Sequence, residues 1–121
     1  MILDSNILIG YLRGEDDIIA ALQAWRASGL VLCISVVSSI EVLSLGSLTS
    51  ADVAATENFL ADFLAISIDA ETVRAAGALR RAYHLSVPDA VIIATAIIRH
   101  IPLATRDKKM RSVPGVELAE V

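Results

Sequence analysis

The chain has 121 residues, 55% of them apolar and only 4% aromatic, with a formal net charge of −4, a pI near 5.0 and a mean hydropathy of +0.66. That length suits one domain spanning residues 1–121 and is too short for two ordinary ones. The acidic balance excludes a protein that holds nucleic acid by overall charge, because phosphate binding needs clustered Lys and Arg, so any nucleic-acid site has to be local. The longest apolar stretch, residues 90–98, is broken by Thr95 and stopped by Arg99 and His100, far too short to span a bilayer. No basic segment precedes an apolar run at the N-terminus, so no secretory signal and a cytoplasmic location are expected. The apolar excess calls for a partner or a second copy to cover it.

In chain order, residues 1–3 read as a short strand that hands over at Asp4-Ser5-Asn6, residues that favour caps and turns. Ile7, Leu8, Tyr11 and Leu12 recur at helical spacing, and a second helix is expected over about residues 16–27, closed by Gly29. The apolar, β-branched run 30–37 reads as a strand covered on both faces, with Cys33 as a small buried residue inside it. Ser38 and Ser39 then cap a helix from near Ile40, which sets Glu41 in its first turn. A longer helix is expected from Thr49 or Ser50 to about Leu64, a strand over 65–68, a helix over 70–83 capped by Asp69, and an apolar helix opened by Ser86-Val87-Pro88-Asp89 and running to Arg99. Strands over 102–105 and 116–119 complete the chain. Alternating strands and helices with apolar strands predict an α/β sandwich around a mostly parallel sheet, in which sites form beyond the C-terminal strand ends.

Asp4, Glu41 and Asp107 each stand just beyond the end of an expected strand, and Asp89 joins them if its helix opens at the same edge. Four carboxylates at one point repel, and a divalent cation relieves the repulsion. Oxygen donors of this kind suit Mg²⁺ or Mn²⁺, whereas His84, His100 and Cys33 are the only softer ligands in the chain. Taken singly, each acid has a plainer use. Glu41 follows Ser38 at capping-box spacing, Asp4 suits an N-cap, Asp89 suits the positive end of its helix, and Asp107 suits a turn beside Lys108 and Lys109.

The segments around these four acids are Ile2-Leu3-Asp4-Ser5-Asn6-Ile7-Leu8, Ile34-Ser35-Val36-Val37-Ser38-Ser39-Ile40-Glu41, Val87-Pro88-Asp89-Ala90-Val91-Ile92-Ile93-Ala94-Thr95-Ala96 and Pro102-Leu103-Ala104-Thr105-Arg106-Asp107. In that order, with the ending Val113-Pro114-Gly115-Val116-Glu117-Leu118, the chain resembles the PIN-domain family, specifically its VapC-type toxins. The resemblance implies a PIN-like three-layer sandwich and a Mg²⁺- or Mn²⁺-dependent endoribonuclease, the toxin of a toxin–antitoxin pair. Asp4, Glu41, Asp89 and Asp107 would be its metal-binding and catalytic carboxylates, with Ser5 and Thr105 as polar support. It also implies a homodimer and a small antitoxin that covers the acidic site. Tyr11, Leu12, Leu43, Leu45, Leu48, Phe59 and Phe63 are the apolar residues offered for such surfaces. The chain departs from similar toxins just after Glu41, where Val42-Leu43-Ser44-Leu45-Gly46 is more apolar.

Arg106, Lys108, Lys109 and Arg111 lie near the fourth acid, with Arg80, Arg81 and Arg13 further away, as candidate phosphate contacts. So few aromatic residues argue against extensive base stacking and favour an RNA recognised by shape. The rival from another class is a non-catalytic PIN-like module that binds RNA or protein, although such a module would ordinarily have lost one of the carboxylates. A phosphatase with an aspartyl nucleophile at Asp4 would need a second Asp where the chain has Asn6.

Overall fold

The computed structural model describes residues 1–121. Four short strands, β1 (Ile2–Leu3), β2 (Cys33–Ser35), β3 (Leu64–Ile66) and β4 (Leu103–Ala104), form one sheet in the order β3-β2-β1-β4. All the pairings are parallel, so successive strands are joined by helical crossovers. These crossovers are α1 (Ser5–Leu12) with α2 (Asp16–Ala27), α3 (Val36–Leu43) with α4 (Ser50–Leu60), and α5 (Ala70–Tyr83) with α6 (Val87–Arg99); a short α7 (Lys108–Arg111) comes after β4.

Strand residues alternate between two apolar layers. Ile2, Cys33, Ile66 and Leu103 face α5, α6 and α7 through Ala76, the buried side of α6 and Met110. Leu3, Ile34 and Ala104 face the other way onto Ile7, Leu8, Ile18, Leu22, Val42 and Leu60. The three-layer α/β sandwich expected from the sequence is the observed architecture. The chain builds β1, β2 and β3 outward on one side and then crosses to place β4 on the other side of β1. The crevice beyond β1 and β4 is therefore the switch point at which open parallel sheets carry their sites.

Several boundaries differ from expectation. The run 30–37 is a strand only over Cys33–Ser35, because the Ser35 hydroxyl accepts the Val37 amide at 3.2 Å and turns the chain into α3 about one turn early. Glu41 accordingly sits in the second turn, Ser38 is buried inside the helix, and the Ser38/Glu41 capping box does not form. A full capping box is present instead at Thr49 and Asp52. The last strand reduces to one parallel bridge between Leu118 and Leu103. No single helix is long and apolar enough to cross a membrane.

His84 and His100 close α5 and α6 with left-handed backbone, at φ 56° and 54°. Glycine is the residue without a Cβ penalty there. His100→Gly is expected to raise stability by roughly 0.5–1 kcal/mol in denaturant unfolding, and an unchanged or lower midpoint would show that the imidazole has contacts that outweigh the strain.

Candidate active site

Asp4 leaves β1 as the N-cap of α1 and is only 4% exposed. Its Oδ1 accepts the Ser5 amide at 2.7 Å, and its Oδ2 accepts the Thr105 hydroxyl at 2.7 Å from the loop after β4. Burial pushes its carboxyl up to about 6 from the usual 3.8; the Thr105 and Ser5 hydrogen bonds pull the other way, and the charges of Asp89 and Glu41 add to the rise. Glu41 reaches in from α3, with Oε1 accepting the Ser5 hydroxyl at 2.5 Å. Asp89, in the first turn of α6, is also raised, first by burial; the Ser86 hydroxyl and Lys109 oppose this, and Asp107 adds to it.

The four sequence-predicted acids thus form a chain of electrostatic neighbours, Glu41 with Asp4, Asp4 with Asp89, and Asp89 with Asp107. No three of them converge on a point that could hold an ion in these side-chain positions. Asp107 also has the plainer use foreseen for it, since it caps α7 by accepting the Lys109 and Met110 amides at 2.9 and 3.0 Å with one oxygen.

Thr105 is the hub, fully buried between the first and fourth motifs. It donates to Asp4 and accepts the Asp107 amide at 3.1 Å and Asn6 Nδ2 at 3.5 Å. Asn6 Oδ1 has no partner. Sequence reasoning named Thr105 as support but missed that it joins Asp4 to Asp107. It also missed α7, although an Asp followed by Lys-Lys-Met-Arg is a legible helix start.

Arg106, one of the residues foreseen as a phosphate contact, is instead paired with Glu15 at 2.7 Å and lies 3.9 Å from Asp17. A Cβ on Gly10 would meet Glu15 Oε2, so this glycine leaves room for the Glu15–Arg106 pair in its present position. Among the apolar residues offered for partner surfaces, Phe63 is buried, while Tyr11 and Phe59 stack with centroids 4.8 Å apart. Leu12, Leu45 and Leu48 do reach a surface, lining a cavity of about 320 Å³ with Ile9, Arg13 and Asp52.

The family model of the PIN domain matches residues 1–116. No curated protein sequence matches the chain. Among solved structures, a toxin-antitoxin complex from Klebsiella pneumoniae contains a chain 34% identical, with a TM-score of 0.82 over 95% of this chain and 93% of that one. VapBC2 from Rickettsia felis, bound to a DNA fragment from its promoter, gives 20% identity and a TM-score of 0.82, covering 98% and 96%. FitAcB from Neisseria gonorrhoeae gives 19% and 0.76 with the same coverages; at these lower identities the likeness is one of fold. A family match over nearly the whole length, on a parallel sheet with acidic side chains around its switch point, makes this chain a member of the PIN domain family.

Proposed function

We propose that the protein is a Mg²⁺- or Mn²⁺-dependent endoribonuclease and the toxin of a toxin–antitoxin pair. The observation that carries this reading is the buried Asp4 carboxylate, beside the charges of Glu41 and Asp89. Such a carboxyl takes up a proton readily because positive charge is welcome there, and a divalent cation answers the same need. The donors are all oxygen, which suits a hard cation. Glu41, Asp89 and Asp107 are half-exposed and would be drawn in toward Asp4 to hold it. A bound Mg²⁺ or Mn²⁺ supplies a water of lowered pKa and offsets charge developing on the phosphate.

The chain's own groups prepare that chemistry. Thr105 and the Ser5 amide fix the two oxygens of Asp4. The Ser5 hydroxyl occupies Oε1 of Glu41, leaving Oε2 to accept a proton from an attacking water. The antitoxin finds support in the similar solved toxin-antitoxin complex, and the cavity beside Leu12, Leu45 and Leu48 suits apolar side chains of such a partner. Exposed Ile40, Val73 and Val87 offer apolar surface for a second copy. A substrate and a partner of this kind imply a cytoplasmic location.

The separation of the carboxylates is what favours the second reading, a PIN-like module that binds RNA or protein without cutting. The deciding measurement is incubation of partner-free protein with total RNA in Mg²⁺ or Mn²⁺. Cleavage is expected, stopped by EDTA and reduced at least about 100-fold in Asp89→Asn, together with a rise in the wild-type melting temperature on adding Mg²⁺. Intact RNA alongside that rise would move the reading to the module.

A further inference from the structure

Half of the protein's Lys and Arg lie on two segments, the end of α5 and α7, that meet at the α5–α6 turn. Arg80 Nε donates to the Leu85 carbonyl at 3.0 Å from α5, and Lys109 Nζ donates to the His84 carbonyl at 2.6 Å from α7. Two segments far apart in sequence therefore place their cations on the same α5–α6 turn. Arg81 and Lys108 are their neighbours in the chain, and Arg111, at the far end of α7, donates to the Thr105 carbonyl at 2.9 Å. These are five of the ten Lys and Arg in the chain, and all five are exposed. Residues 72–88 and 108–116 contain no Asp or Glu, so the acids nearest along the chain to this ridge are Asp89 and Asp107 of the candidate site. Arg106, on the other side of that site, supplies both of the protein's ion pairs and is neutralised by Glu15 and Asp17. Arg81 and Lys108 have no ion pair, and Arg80, Lys109 and Arg111 keep N–H donors beyond those already used.

We propose that the RNA backbone leaves the acidic site along this ridge, over α7, the α5–α6 turn and the C-terminal turn of α5, with Arg81 and Lys108 as direct phosphate contacts. The proposal rests on the nuclease reading for its ligand and gives a net acidic protein the local positive track that phosphate requires. The field is asymmetric. It favours the α5/α7 side, where the cations are unpaired, over the α1/α2 side of the acidic site, where Arg106 is already paired.

The test is equilibrium binding of a fluorescein-labelled RNA stem–loop across a KCl series, in EDTA where cleavage is stopped and again in Mg²⁺. It compares the wild type, the double variant Arg81→Gln/Lys108→Gln, and Arg26→Gln as a single-charge control on α2. Two lost phosphate contacts are expected to flatten the slope of log K against log salt by about 1.4 to 1.8, with cleavage showing a raised KM and little change in kcat. Arg26→Gln is expected to keep the wild-type slope. An unchanged slope in the double variant, or an equal change in Arg26→Gln, overturns the ridge whether or not the protein cuts RNA. Salt-dependent binding through the ridge with no cleavage in Mg²⁺ upholds it and overturns the nuclease instead.

Discussion

Asp4→Asn is expected to lower RNA cleavage by about 1000-fold, roughly 4 kcal/mol of transition-state stabilisation, while making the metal-free protein more stable at pH 7.5. The two effects share one cause. Burial raises the folded-state carboxyl from 3.8 to about 6, so the folded chain binds this proton more tightly than the unfolded one. A group raised in this way contributes stability that is fully present below about pH 4 and is lost as the pH climbs through about 6. The shift of about two units corresponds to roughly 3 kcal/mol, which the wild type forgoes at pH 7.5 in EDTA. Asparagine carries no charge to bury, although its amide nitrogen cannot accept the Thr105 hydroxyl, so the net gain is smaller. Melting curves in EDTA should show the variant above the wild type at pH 7.5, with the advantage gone by pH 4. Added Mg²⁺ should reverse the order by stabilising only the wild type. A variant that melts lower at both pH values would reduce Asp4 to a helix cap.

Thr105→Val is the second large effect. The two side chains have nearly the same shape, so the change removes a hydroxyl from a fully buried position without opening a cavity. Asp4 Oδ2 loses its donor, and the Asp107 amide and Asn6 Nδ2 lose their acceptor. Leaving such groups unpaired costs about 1–3 kcal/mol of stability, and misplacing two of the four carboxylates is expected to cost roughly 10- to 100-fold in cleavage. Thr105→Ser separates the roles, because it keeps the hydroxyl and loses only a methyl group. It should cleave within a few-fold of the wild type while giving up about 1 kcal/mol of packing. Equal loss of cleavage in both variants would mean that the methyl group, and not the hydrogen bonds, holds the site.

How much of this was legible in the sequence depends on the range of the forces involved. The helices α2, α5 and α6 carry local signals, caps and 3.6-residue periodicity, and their ends match expectation closely. The acids were found because each adjoins a strand end or a helix start. The run around Val36 misled, because β-branched residues favour strands while the Ser35 side chain and the packing of α3 impose a helix. Val37 takes part in that packing. Moving that boundary removed the capping-box explanation for Glu41 and left its Ser5 contact in its place. The Arg106 pairing could not be read at all, since its partner lies 91 residues away and a basic residue beside an acidic motif looks like a substrate contact.

The position of β1 has a consequence for how the molecule comes into being. This strand is made before the other three, yet it lies inside the sheet between β2 and β4, and the Asp4 amide is satisfied by the Ala104 carbonyl at 2.9 Å. The Asp4 carboxylate meets its Thr105 hydroxyl across a separation of 101 residues, so that loop closes only after the other three strands and their crossovers have been made. A chain arrested before β4 carries at most three of the four acids and no organised site. For a protein whose proposed activity is directed at RNA, nothing able to cut is assembled until β4 has joined the sheet beside β1.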